Sequence, residues 1–281
     1  MQTRVLTPPA LSSPREALAL ALLAPAAPLM LLQGRRVRRD ALRLPEAAGQ
    51  REGQGPADRS SDKRLLIVGD SSAAGVGVSN QSQALSGQLV EALALAGVAP
   101  RRWQLIARTG AAAADLPALL ERGLPADSSA SSRFDVALVV VGVNDVTRAT
   151  PIPRWLADLD RIHEQLRGLG VAVTLFSGLP PMERFTALPQ PLRSWLGLQA
   201  RRYDRALGHW SQTRPGALHQ VLPRLDDPAL LASDGFHPGE AGCAVWAQAL
   251  ALRLTSIFIP DQSAASAFGS SRFAPDSSIA T

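Results

Sequence analysis

The chain is poor in the residues that build several common kinds of site. It has one cysteine, Cys243, in 281 residues. Disulfide frameworks and cysteine-based zinc sites are therefore excluded within a monomer. Cys243 lies in Gly-Glu-Ala-Gly-Cys-Ala-Val-Trp, which reads as a helix packed closely on a sheet, so a buried inert thiol is expected. Gly75 and Gly77 are not followed by Gly-Lys-Ser/Thr, and the chain has no Gly-x-Gly-x-x-Gly, so a phosphate-cradling loop is not expected. Histidine is scarce, with four in all. His163 and His209 fall in helical runs and His219 begins a strand-like run, and all three are expected as packed or surface side chains. Asp226, Asp227, Asp234 and His237 match no zinc-ligand spacing. No metal and no cofactor is expected, and no internal repeat is seen.

Charge is also scarce where it first looks plentiful. The formal net charge is +5, with a single lysine, Lys63, among 29 basic residues. Residues 1–64 hold 11 Arg/Lys and 6 Asp/Glu, while residues 65–281 hold 18 of each. The remainder is neutral, so the basic balance does not imply a nucleic-acid partner. With 46% hydrophobic residues, the length suits one sizeable core with extensions at both ends.

Residues 17–32 carry no charge and are apolar all round. As a helix they span roughly 24 Å, short of a hydrocarbon core of ~30 Å, and Pro25 and Pro28 interrupt them. They read as a short membrane anchor, as a signal peptide cut near Ala24-Pro25-Ala26, or as an apolar helix packed on the protein. Arg35, Arg36, Arg38 and Arg39 follow directly. A signal peptide carries its charge before the apolar run, and basic clusters beside apolar segments prefer the cytoplasmic face. Membrane association through residues 17–39 is expected, with the folded part on the cytoplasmic side; export after cleavage is the alternative. Residues 1–40 form this N-terminal segment. Residues 41–63 read as a linker rich in Gly, Pro and charge, residues 64–258 as the domain, and residues 259–281 as a disordered tail.

Within the domain, strand-like runs at 65–68, 103–107, 136–141, 171–176 and 218–222 alternate with helix-like runs at 83–96, 112–121, 155–169, 192–210 and 238–254. Alternation of this kind implies an α/β fold with a parallel sheet covered on both faces. Right-handed crossovers put every strand's carboxyl end at one edge, where such sheets keep their ligand crevice.

Four loops at that edge carry reactive groups. Ser71 follows the first strand, Thr109-Gly110 the second, Gly142-Val143-Asn144-Asp145 the third, and Asp234-Gly235-Phe236-His237 the fifth. Acyl transfer needs these groups. A serine hydroxyl becomes a nucleophile when a base takes its proton. His237 is a candidate base, and Asp234 a candidate to fix its tautomer. The N–H groups of Ser71 and Gly110 and the Asn144 amide are candidate donors to a tetrahedral oxyanion. Asp70 is expected to accept loop N–H bonds and Asp145 to hold neighbouring loops. Residues 177–197, with exposed-looking Met182, Phe185, Leu188, Leu192 and Trp195, either wall a substrate pocket or pack over the sheet edge.

Gly69-Asp70-Ser71, Gly110, Gly142-Val143-Asn144-Asp145 and Asp234-Gly235-Phe236-His237 together resemble the four blocks of the SGNH (GDSL-type) hydrolases, in that family's order. The resemblance covers residues 64–258. It implies a three-layer α/β/α sandwich, flavodoxin-like, on a five-stranded parallel sheet. It implies catalytic Ser71, Asp234 and His237, an oxyanion hole from Ser71, Gly110 and Asn144, and no cofactor. Two departures stand out: Ser72 follows where Leu or Ile is usual, and no Asn precedes Gly110. The expected activity is ester hydrolysis through an acyl-enzyme, on a small-molecule or lipid ester. Deacetylation of a sugar or cell-envelope glycan is the alternative reaction, and a non-catalytic binding module the alternative class. A nucleotide binder is disfavoured because Asp70 would repel phosphate. Oligomeric state is left open.

Overall fold

The first strand of the domain shows why this sequence folds as it does. In a computed structural model describing residues 14–124, 133–224 and 227–259, residues Arg64–Gly69 form a strand (β2) with five of its six residues buried. Leu65 and Ile67 point into one core and Leu66 and Val68 into the other. Successive side chains face opposite sides of a sheet, so a strand covered on both faces must be apolar throughout.

Six strands make one sheet in the order β1-β3-β2-β4-β5-β6. They are β1 (Glu52–Gly53), β2, β3 (Arg102–Ala107), β4 (Val136–Val140), β5 (Val173–Ser177) and β6 (Ala217–Gln220). From β3 to β6 the pairing is parallel throughout. β2 lies between β3 and β4, so chain order reverses at its carboxyl end, the topological switch point where open α/β sheets bind ligands.

Helices α3 (Leu85–Leu95) and α8 (Glu240–Phe258) cover one face, through Leu85, Leu89, Leu93, Trp246, Leu250 and Leu254. Helices α4 (Leu116–Gly123), the short α5 (Val143–Thr147), α6 (Ile152–Gly168) and α7 (Leu192–Gln212) cover the other, where Trp155, Ile162, Leu207 and Trp210 meet Phe176 and Val139. Cys243 is buried on α8, and burial pushes its thiol up to about 12, as expected of an inert cysteine. His163 is buried between Thr174 Oγ1 and the Pro215 carbonyl, 3.1 Å from each.

The sheet has one strand more than expected. β1 is antiparallel to β3 and lies inside residues 41–63, read from the sequence as a linker. The segment packs on the domain. The Leu105 N–H donates to the Arg51 carbonyl (2.6 Å), the Arg51 guanidinium donates to the Ala107 carbonyl (3.0 Å), and Ala47 is buried. A two-residue strand has no period to detect. Gly53 is needed there, because a Cβ would sit 2.9 Å from the Trp103 indole nitrogen.

The N-terminal segment is helical beyond its apolar run. Helix α1 (Pro14–Leu23), a 3₁₀ turn at Ala24–Ala26 and helix α2 (Ala27–Asp40) form a rod of 27 residues that includes the basic block. By length and composition alone, this rod and α8 are long and apolar enough to cross a membrane. α8 is a core helix of the sheet. Residues 260–281, including most of the expected tail, lie outside the described residues.

Candidate active site

Ser71 leaves the end of β2 in a tight turn. The Ala74 N–H returns to the Asp70 carbonyl (2.9 Å) and the Val76 N–H to the Ser71 carbonyl (3.0 Å). Gly69 permits this geometry, since a Cβ there would lie 2.4 Å from the Val140 carbonyl and 2.7 Å from the Ala73 Cβ. Asp70 is buried and accepts the Ser72 N–H (3.0 Å), which shapes the turn. Burial is the main cause that pushes its carboxyl up to about 7, against the opposing Ser72 hydrogen bond and the attraction of His237.

His237 arrives from the loop before α8. The Asp234 carboxylate organises that loop by accepting the N–H groups of Phe236 and His237, both at 3.0 Å. Gly235, at φ +64°, supplies the turn between them. Asp234 Oδ2 lies 2.6 Å from His237 Nδ1, and His237 Nε2 lies 2.9 Å from Ser71 Oγ. A proton on Nδ1 donated to Asp234 leaves Nε2 to accept the serine hydroxyl. Burial raises the Asp234 carboxyl, but the hydrogen bonds from His237 outweigh it and hold the group below its ordinary value. The loop rests on Gly77. A Cβ at this position (φ +107°) would lie 2.8 Å from the Ala232 Cβ and 3.3 Å from the His237 Cβ, so only glycine lets the serine and histidine loops close. In the sequence, Gly77 bore only on a phosphate-cradling loop, which its context excludes.

Gly110 and Asn144 come together on the other flank. The Asn144 side-chain amide donates to the Ala111 carbonyl (2.9 Å), which fixes it beside the Gly110 loop and leaves its second N–H available. Gly110 has φ +78°, and its carbonyl accepts from Arg148 (2.7 Å). Among the described residues, neither the Ser71 nor the Gly110 N–H has a protein acceptor. The loop is tied to β2 by the Arg108 N–H on the Gly69 carbonyl (3.2 Å). Asp145 is buried and accepts the Ala113 N–H (3.1 Å), a loop-holding role as expected, and burial pushes its carboxyl up to about 6.

Two supports escaped the sequence reading. Glu46 Oε1 accepts both the N–H and the hydroxyl of Thr109 at 2.7 Å, while its other oxygen meets Arg51 at 2.5 Å. Asp115 lies 3.6 Å from both Arg108 and Arg148, beside Gly110. Residues 182–192, expected either to wall a pocket or to pack over the sheet edge, join the core. Met182, Phe185, Leu188 and Leu192 are buried, contrary to their exposed-looking context, because α7 folds back over them. Phe185 packs on Phe236, the neighbour of His237, with ring centroids 4.6 Å apart. Beside them is a cavity of about 40 Å³ bordered by Asp70, Leu179, Phe185, Phe236 and Trp246, whose indole N–H has no partner among the described residues.

Among the described residues no three His, Cys, Asp or Glu side chains converge as a metal site. Asp226 lies outside them. A serine hydroxyl, an imidazole oriented by a carboxylate and unengaged N–H donors nearby can together carry acyl transfer without a metal.

Residues 67–245 match the GDSL-like lipase/acylhydrolase family. Among solved structures, the crystal structure of TesA aligns with a TM-score of 0.50 at 22% identity, covering 70% of this chain and all of that one. A family two carbohydrate esterase from Clostridium thermocellum, in complex with cellohexaose, aligns with a TM-score of 0.52 at 14% identity, covering 71% of this chain and 66% of that one. At these identities the likeness is one of fold. No curated protein sequence matches the chain.

Proposed function

The chain belongs to the GDSL-like lipase/acylhydrolase family and is an ester hydrolase, and on that premise we propose that it cleaves carboxylic esters through a Ser71–His237–Asp234 triad and an acyl-enzyme. The observation that carries this reading is the continuous relay of 2.9 Å and 2.6 Å from the serine hydroxyl to the Asp234 carboxylate. Ser71 Oγ attacks the ester carbonyl as its proton passes to His237 Nε2. The N–H groups of Ser71 and Gly110 and the second N–H of Asn144 receive the oxyanion; one such donor contributes about 3–4 kcal/mol to the transition state. The imidazolium then protonates the departing alcohol oxygen as the carbon–oxygen bond breaks. Water, deprotonated by His237, attacks the acyl-enzyme, and the acid leaves as Ser71 regains its proton. Asp234 keeps the ring in the required tautomer and stabilises the imidazolium.

A fluorophosphonate probe tests the assignment. It is expected to label the wild-type chain and to leave Ser71→Ala unlabelled. Equal labelling of both would sink it.

A second reading, removal of acetyl groups from a sugar or glycan, uses the same serine, base and oxyanion donors. A preference for acetate over longer p-nitrophenyl esters favours it; a preference for long chains excludes it.

We place the hydrolase unit at residues 64–258 together with the packed segment before it. We place the enzyme at a membrane through residues 17–39, with the hydrolase on the cytoplasmic side that the arginine block prefers.

A further inference from the structure

Resting on the membrane placement above, we propose that the rod Pro14–Asp40 is a docking element that lies along an anionic lipid bilayer while staying fastened to α7, so that the enzyme is monotopic. The rod has two dissimilar faces. Met30 is buried in the core, Val37 packs against it, and Gln33 lies between them on the same face. Glu16, Leu20 and Leu23 continue this half-buried line toward the N-terminus, at the three- and four-residue steps of one helix face. This inner face is held by polar contacts at both ends. The Glu16 carboxylate accepts from Arg205 at 2.6 and 3.0 Å. The Gln33 amide donates to the Gln190 carbonyl (2.6 Å) and accepts the Leu192 N–H (3.2 Å).

The outer face has the composition of a lipid-binding surface. Leu18, Leu22, Leu29, Leu31 and Leu32 are 49–72% exposed, far more than a water-facing helix needs. Arg35, Arg36, Arg38 and Arg39 follow them, all exposed. The one acid among them, Asp40, is shared by Arg36 and Arg39. Leucines in the acyl boundary with arginines at the phosphates are the arrangement of an interfacial helix. Apolar and basic residues are separated along the axis, so the α1 end lies deeper and the α2 end rides among headgroups.

The inner face argues against a span. A spanning rod must turn its whole circumference to lipid, which would pull Glu16 away from Arg205 into hydrocarbon and strip Gln33 of its backbone partners. Lying in the interface keeps these contacts. The arginine block selects anionic lipid over a second copy of the chain, whose matching block would repel it.

Sedimentation of the full chain with vesicles tests this. Binding is expected to phosphatidylcholine vesicles containing phosphatidylglycerol and to weaken strongly without it. Replacing the four arginines by Gln is expected to cost about fivefold in partitioning for each. Leu22→Glu with Leu31→Glu is expected to abolish binding while hydrolysis of a soluble short ester, which reports folding, persists. The deciding variant joins Gln33→Cys to Gln190→Cys with a short bis-maleimide, locking the rod to the domain. Retained binding of the locked protein supports docking as described. Loss of binding on locking means the rod must leave the domain to insert, and overturns it. Equal binding to neutral vesicles overturns it, as does a dimer that the leucine substitutions dissolve while no vesicle binding is seen.

Discussion

Two Asp–His pairs stand at the carboxyl edge of this sheet, and they are not equivalent. In the first, Asp234 takes the Nδ1 side of His237 at 2.6 Å, and Nε2 is left facing Ser71. In the second, Asp204 takes the Nε2 side of His219 at 3.0 Å. The same Asp204 oxygen also accepts the Leu179 N–H at 3.0 Å. The other nitrogen of His219 faces Gly208 of α7, so closely that a Cβ there would meet it at 3.0 Å. An aspartate beside a histidine therefore does not make a general base. What matters is which nitrogen the carboxylate occupies and whether a hydroxyl meets the other.

The largest expected contrast comes from neutralising each carboxylate in turn. Asp234→Asn is expected to lower kcat by about 10³–10⁴, because the imidazole loses its fixed tautomer and its counter-charge. Asp204→Asn is expected to leave kcat within about tenfold and to lower stability by about 1–3 kcal/mol through weakened bonds to His219 and Leu179. Ester-hydrolysis kinetics beside thermal melts read both. Comparable losses of kcat would erase the distinction between the pairs.

A smaller effect sharpens the first pair's setting. Asn144→Ala is expected to reduce kcat by about 10²–10³ with KM little changed, since the amide acts on charge that appears only in the transition state. A rise in KM alone would instead make Asn144 a substrate-binding group.

A pH effect on stability, rather than on rate, separates two acids near His237. Asp70 has a folded-state pKa of about 7, above its ordinary 3.8. The unfolded chain gives up this proton first, so the group lowers stability as pH rises from about 4 to about 7, by roughly 4 kcal/mol in all. Asp70→Asn, which still accepts the Ser72 N–H, is expected to remove that decline in melts across this range. Asp234 has the opposite sign: its folded pKa is depressed, so its contribution is present above the ordinary carboxylate range and is lost on acidification through the folded value. An unchanged slope in Asp70→Asn would place the pH dependence elsewhere.

The comparison also explains what was legible in the sequence. Asp234 and His237 are three residues apart, so one loop carries both groups, and Ser71 announces itself at the end of an unbroken apolar strand. Asp204 and His219 are 15 apart, one on a helix and one on a strand, and only the packing of α7 on β6 joins them. Glu46 was hidden for the same reason: its partner Thr109 lies 63 residues away. The apolar residues of 182–192 looked exposed because nothing local reveals that α7 doubles back over them. β2, β4 and β5 were visible as largely apolar runs, and β3 and β6 as shorter apolar stretches within mixed segments. β1 was not, since it is two residues long and exists through the edge that β3 offers.

Glu46 also redefines the smallest self-sufficient piece of this enzyme. Every block of the family lies after residue 66, so a fragment beginning at residue 64 looks complete on paper. Such a fragment loses Glu46, Arg51 and β1 together, and with them the carboxylate that clasps Thr109 beside Gly110. The hydrogen-bonded Ser71 and His237 would remain while the Gly110 flank slackened. Anyone trimming the chain to study the chemistry in solution should cut between the basic block and Glu46, where the helical rod ends and the scaffold of the site begins.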